Sequence, residues 1–418
     1  MLDRTIAPPY AQDSSFSLIT PRIKKLGNGI DLVYIIGGAQ DVLKIDLVFR
    51  AGRWYETKWG AAYFTAHLLS KGTTTKSSFQ IAQLFDLYGA HLEVSPGLDY
   101  VSVSLYSLTK NIQPVLSLLK ELLLEPSFPE KELEQAISIY TQNLKINLEK
   151  TSFLASKHFR ATLFGENHPY GKELGEADVK ALTSADLQEY FSSFRDFTVF
   201  ISGKIDNATE KFIDTTFQDF KKEAQQARAI TRTPSTPNHQ EIEKEGSVQA
   251  SIRLGAESLL RTHPDYTNVI FSSHILGGYF GSRLMKNIRE EKGLTYGIYA
   301  AVHPLKHAGY FVIGADVNKE NISITFEEIR KELKRLRTEP VPADELMTAK
   351  NHFIGSLQSE ITTPFAHADK IKTLHLSNLP ADYYQQMIKT VKNITTDQII
   401  ATADKYLNEE RFFELAVG

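Results

Sequence analysis

The 418-residue sequence predicts an α+β fold made of two tandem homologous halves, each a mostly antiparallel sheet packed with helices. Three observations predict it. Short alternating strands are interleaved with amphipathic helices along the whole chain, which describes sheets layered with helices. Two segments recur: Leu-Leu-Lys-Glu-Leu-Leu-Leu-Glu-Pro-Ser-Phe-Pro-Glu-Lys-Glu-Leu at 118–133 parallels Arg-Lys-Glu-Leu-Lys-Arg-Leu-Arg-Thr-Glu-Pro-Val-Pro-Ala-Asp-Glu-Leu at 330–346, and Val-Lys-Ala-Leu-Thr-Ser-Ala-Asp-Leu at 179–187 parallels Val-Lys-Asn-Ile-Thr-Thr-Asp-Gln-Ile at 391–399. The offsets, 213 residues from Leu133 to Leu346 and 212 from Val179 to Val391, nearly coincide, the signature of a duplicated unit. Length points the same way, because a chain of this size outgrows one ordinary core.

Taken in order, residues 2–18 read as extended and broken by prolines, lying across the surface. Gly27-Asn28-Gly29 reads as a hairpin turn entering a strand within 26–34. Residues 43–51 alternate as a strand with Leu43, Ile45, Leu47 and Phe49 on one face, ending at Gly52. Residues 61–69 have no breaker and read as a helix, and a second helix over 78–88 is capped by Ser77 or Ser78 and stopped by Gly89. Strands at 91–94 and 100–106 are joined by Pro96 and Gly97. An amphipathic helix over 111–124 ends at Glu125-Pro126, Pro129 opens a long helix toward Glu149, and a further helix crosses His158. A helix begins at Thr183-Ser184-Ala185-Asp186, and a strand over 197–201 ends at Gly203. Residues 221–247 are polar, hold Pro234 and Pro237, and read as a linker between a first unit, 1–220, and a second, 248–418.

Composition narrows the function. With 42% hydrophobic and 23% charged residues and a formal net charge of −3, the chain carries no basic field suited to nucleic acid. It has no cysteine, which removes disulfides, thiolate metal sites and a cysteine nucleophile together. No run of 18 or more apolar residues suggests a membrane span. The first ten residues carry charges and two prolines where a signal peptide needs an apolar run. A cytoplasmic home is therefore expected of the sequence as written, and a periplasmic one if it has been trimmed at its start.

The informative stretch is Gly60 to Thr73, Gly-Ala-Ala-Tyr-Phe-Thr-Ala-His-Leu-Leu-Ser-Lys-Gly-Thr. On a helix Tyr63, Ala66 and His67 share one face, with the i, i+3, i+4 spacing on which an HxxEH zinc helix places two histidines and a glutamate. The frame resembles the M16, or pitrilysin, family of zinc peptidases, whose active members read Gly-x-x-His-Phe-x-Glu-His-x-x-x-Lys-Gly-Thr here. Tyr63 stands at the first ligand and Ala66 at the catalytic glutamate. The resemblance runs from about residue 26 to 418 and includes Phe164-Gly-Glu-Asn-His-Pro-Tyr-Gly171 and the block from Gly277 to Tyr296. It implies two halves of the M16 metallopeptidase fold. It also implies a third ligand, a glutamate, some seventy residues further on the long helix, where counting reaches Asn143 between Gln142 and Leu144. A catalytic zinc needs about three protein ligands and an open water position beside a base. His67 alone cannot supply that, so it is read as an ordinary helix histidine, and the chain is expected to hold no metal of its own. His91 and Glu93 are structural candidates rather than an improvised site.

The second half keeps more. Leu276-Gly-Gly-Tyr-Phe-Gly-Ser-Arg-Leu284 reads as a glycine-containing loop entering a helix, which ends at Gly293 before a strand that starts near Tyr296. The spacing of Arg289 and Tyr296 resembles the pair with which M16 enzymes hold the substrate backbone and stabilise the tetrahedral intermediate. Alone, Arg289 would be expected to pair with Glu290 or Glu291, Tyr296 to lie in a strand core, and Gly277 and Gly278 to serve tight packing. Within this frame the resemblance implies the non-catalytic subunit of a heterodimeric M16B peptidase, inactive by itself, whose HxxEH-bearing partner supplies the zinc and cleaves a peptide. The alternative is a non-proteolytic assembly subunit of the same fold, like the core proteins of respiratory complexes.

Overall fold

The computed structural model describes residue 5 and residues 16–225, 230 and 239–418. The extended reading of 2–18 falls almost wholly outside them. In the first half the strands β1 (Arg22–Lys25), β2 (Asp31–Ile36), β3 (Val42–Phe49), β4 (His91–Pro96), β5 (Val101–Leu108) and β6 (Phe197–Gly203) form a sheet ordered β1-β2-β6-β3-β5-β4. All neighbours are antiparallel except β2 and β6. The helices are α1 (Ala61–Leu68), α2 (Ser78–Leu87), α3 (Ile112–Leu124), α4 (Glu130–Leu148), α5 (Thr151–Phe164), α6 (Glu176–Lys180), α7 (Ser184–Phe191) and α8 (Asn207–Gln218).

Local chemistry sets their ends. Ser77 and Gln80 form a reciprocal capping box at α2, Thr183 and Asp186 another at α7, and Asp206 accepts the Thr209 amide at the start of α8. Pro129 precedes α4, where a missing amide proton costs nothing. In this half two helices, α6 and α8, went unanticipated. The buried face of α8 is Thr209, Ile213, Asp214, Thr216 and Phe217, so three of its five residues are polar and few large apolar side chains mark it.

The second half consists of β7 (His239–Ile242), β8 (Gln249–Ser258), α9 (Tyr266–Gly277), β9 (Thr295–Pro304), β10 (Gly309–Asn318), α10 (Ile322–Thr338), α11 (Ala343–Ser359), α12 (Pro364–Leu376), α13 (Tyr383–Asn393), α14 (Thr396–Tyr406) and β11 (Phe413–Val417). Its sheet runs β7-β11-β8-β10-β9, with β7 and β11 parallel and the other pairs antiparallel. This repeats the first sheet without β1: β7 takes the place of β2, β11 of β6, β8 of β3, β10 of β5 and β9 of β4. The strand β7 lies inside the stretch read as a linker.

Each sheet buries one face under its own helices. Leu32, Leu43, Ile45, Leu47, Val103, Leu105, Val199 and Ile201 meet α1, α3 and α7, while Ile252, Leu254, Phe311, Ile313 and Ala416 meet α9, α10 and α14. The opposite faces are exchanged. Val33, Ile35, Val48 and Phe200 of the first sheet pack on Ala368 and Ile371 of α12, which belongs to the second half. Val312, Phe413, Leu415 and Val417 of the second sheet pack on Ala155, Phe159 and Leu163 of α5, from the first.

Candidate functional site

Glu56 holds the start of α1. Gly60 adopts φ +92°, a backbone that side chains disfavour, and the Gly60 and Ala62 amides donate to Glu56 Oε2 at 3.1 and 3.0 Å. The helix then presents Tyr63, Ala66 and His67 as its spacing requires. Ala66 is fully buried and Tyr63 half-buried, while His67 lies on the exposed side. The Tyr63 ring is parallel to His67 at 5.9 Å and edge-on to Tyr140 of α4 at 5.3 Å, and the Tyr140 hydroxyl donates to the Leu174 carbonyl. Burial raises the Tyr63 pKa. Burial, and secondarily Lys71, lowers that of His67.

An aromatic contact thus fills the crossing of α1 and α4. Asn143 is exposed, about one turn beyond Tyr140. Glu93 accepts from Ser95 and His91 packs near Tyr106. Among the described residues no three His, Asp or Glu side chains converge on a common point. One imidazole beside a neutral phenol, a methyl group and a carboxamide does not fit a catalytic zinc.

The Arg289 and Tyr296 surface is built differently. After α9 the loop 278–282 leads into a π-helix, Met285–Glu291, a wide winding often found at functional sites. Leu284, Met285 and Ile288 anchor its inner side, and the Asn287 amide donates to Glu328 and Glu332 of α10. Arg283, nearly buried, makes a fork-like pair with Glu345 of α11, at 2.7 and 3.1 Å. The chain leaves the π-helix through Gly293 at φ +62° and enters β9, an edge strand.

Arg289 makes no ion pair among the described residues. Its guanidinium instead lies 4.7 Å from the centre of the Phe280 ring. Tyr296 is 90% exposed, and so is not a strand-core residue. Phe280 and Tyr299 add exposed aromatic surface on the same loop and strand. Phe280 was missed from the sequence, although its place in the glycine-containing loop marked it. The glycines serve packing: a Cβ on Gly277 would lie 2.6 Å from the Ala300 nitrogen, and one on Gly278 would lie 2.6 Å from His274 Nδ1.

The third block joins the halves. The buried Tyr170 hydroxyl donates to Asp99 at 2.5 Å and accepts the His307 amide at 3.2 Å, and Trp54 stacks on His307 with ring centres 4.0 Å apart.

Comparison with known proteins settles the ancestry of this arrangement. Residues 38–178 match the family model described as insulinase (peptidase family M16), and residues 181–353 match the one described as peptidase M16 inactive domain. The chain belongs to the M16 peptidase family. A protein of Rickettsia felis named an uncharacterized zinc protease is 24% identical over 401 residues, covering 92% of this chain and 94% of its own. A Helicobacter pylori protein named non-peptidase homolog YmxG is 24% identical over 371 residues, covering 85% and 84%. In fold, the chain resembles a crystal structure of a peptidase M16 inactive domain from Pseudomonas fluorescens, with a TM-score of 0.87 and 23% identity over 95% of this chain and 98% of that one. A protease structure from Helicobacter pylori gives a TM-score of 0.86 at 16% identity, over 96% and 100%.

Proposed function

We propose that this chain is a non-catalytic M16 subunit that presents Arg289 and Tyr296 to a peptide held in the active site of an HxxEH-bearing partner subunit. What supports the reading is a contrast between the halves. The crossing of α1 and α4 is filled by the edge-on rings of Tyr63 and Tyr140 and offers one imidazole, whereas Arg289 lacks an ion-pair partner among the described residues and Tyr296 is open to solvent. A guanidinium donates charge-assisted hydrogen bonds to peptide carbonyls, and a phenol donates to a developing oxyanion. The zinc and the base belong to the partner in this scheme. The relative named a non-peptidase homolog is consistent with it.

The test is hydrolysis of a fluorogenic peptide mixture by this chain alone and after mixing with an HxxEH-bearing homologue from the same genome. Turnover only in the mixture is expected, and Arg289→Ala or Tyr296→Phe should lower it roughly 10²-fold while the zinc of the complex stays in place. Unchanged turnover in both variants overturns the proposal. So does a stable complex that cleaves nothing, which would instead support an assembly subunit.

A further inference from the structure

A second cluster, away from Arg289 and Tyr296, lies where α9 crosses α11. His274 of α9 and His352 of α11 face one another, with His274 Nε2 3.2 Å from His352 Nδ1. Their ring centres are 5.1 Å apart, and the Tyr279 ring is stacked on both, at 4.8 Å and 15° from His274 and at 4.7 Å and 30° from His352. Phe353 closes the edge of His274 at 5.3 Å, nearly perpendicular. The loop makes room for this arrangement, because any side chain at position 278 would collide with the His274 ring. His352 is exposed, so the pair opens to solvent on one side.

We propose that His274 and His352 form a two-imidazole site for a borderline divalent transition cation, zinc, nickel or copper(II), with water completing the coordination. Two nitrogens held at about 2.0–2.1 Å from one metal, at an angle of roughly 100–110°, stand about 3.1–3.4 Å apart. The observed 3.2 Å lies in that interval. Imidazole nitrogen suits these three ions, and neither sulfur nor carboxylate is required. The proton now shared by the facing nitrogens belongs to one ring. Its transfer to the other nitrogen of that ring frees both lone pairs, so the neutral pair takes up a cation without net loss of a proton.

Burial, with His352 beside it, keeps His274 uncharged by pushing its pKa down to about 4. Tyr279 covers one face of both rings and restricts their rotation, as an outer group orients ligands in known metal sites. Because α9 and α11 are the second-half counterparts of α1 and α4, the site occupies the pseudo-equivalent of the crossing of Tyr63 and Tyr140, where the resemblance places the degenerate HxxEH motif. Its donors do not correspond to those of that motif, and the inference stands apart from the proposed subunit role.

Calorimetric titration of the metal-free full chain with zinc, nickel or copper(II) chloride tests it. One strongest site per chain is expected, tightest for copper(II), with affinity at least tenfold weaker in His352→Ala and kept in His91→Ala. His352→Asn, at an exposed position, gives a second variant whose melting temperature checks the fold. In a chain carrying ¹⁵N-labelled histidine, the imidazole signals of His274 and His352 should respond first to zinc. Equal affinity in the wild type and both His352 variants, or silence of those two signals at saturating zinc, overturns the inference.

Discussion

Glu56 is 2% exposed, and its carboxylate serves as the cap of α1. Burial outweighs the two amide donors and Arg53 and pushes its pKa up to about 7 from 4.5. The folded state therefore holds the proton more tightly than the unfolded chain. Its contribution to stability is complete below pH 4.5, declines as pH rises, and is gone above pH 7, a span worth about 3 kcal/mol. Glu56→Gln should flatten that slope in urea melts recorded between pH 5 and 8. A wild type and variant of equal slope would count against a buried titrating carboxylate. The sequence offered no sign of this residue, since a lone glutamate before a helix looks like surface. That Tyr63, Ala66 and His67 lie on one helix was legible, because helical spacing can be read along one chain. What the rings of Tyr63 and Tyr140 do with the vacated crossing could not be read, because the two residues lie on different helices.

At the scale of elements, α3 and α10 announce themselves, since Leu, Ile and Val residues at 112–124 and 322–338 recur at helical spacing and end at equivalent prolines. The connection from α9 to β9 is less legible. A glycine pair suggests tight packing without naming what packs, and only the approach of α9 to β9 shows it. Gly277→Ala places a methyl group against the Ala300 backbone, which cannot move without disturbing the β9 and β10 register. The variant should lose about 1–3 kcal/mol and melt earlier. Melting like the wild type would mean that the helix shifts freely. The π-helix also escaped the sequence, because an i to i+5 winding leaves no composition mark that separates it from an α-helix.

For the whole molecule, the exchange of α5 and α12 makes the two halves interdependent. Each helix leaves its own unit to cover the outer face of the other sheet, so neither sheet is fully buried without both halves. Tyr170 adds a polar link, joining Asp99 of the first half to the 306–307 turn of the second. Burial, then Asp99, drives the Tyr170 pKa far upward, which keeps its hydroxyl a donor at every ordinary pH. Tyr170→Phe leaves the buried Asp99 without that donor and should cost about 2–3 kcal/mol. Amide exchange around 304–309 should quicken more than elsewhere. Uniform exchange would show that the link does not hold the halves together.

The sequence by itself determined the duplication and most of the helices and strands, because repeats and periodicity are local or can be aligned along one chain. Tertiary structure alone decided the rest. The four residues of β7, three of them polar, are a strand only because β11 lies beside them, with His239 held between Glu241 and Glu414. Arg289 meets Phe280 rather than its neighbouring glutamates, Tyr296 faces solvent, and His274 finds His352 seventy-eight residues away. These outcomes depend on which surfaces pack together, and burial is a property of the assembled fold that no single segment carries.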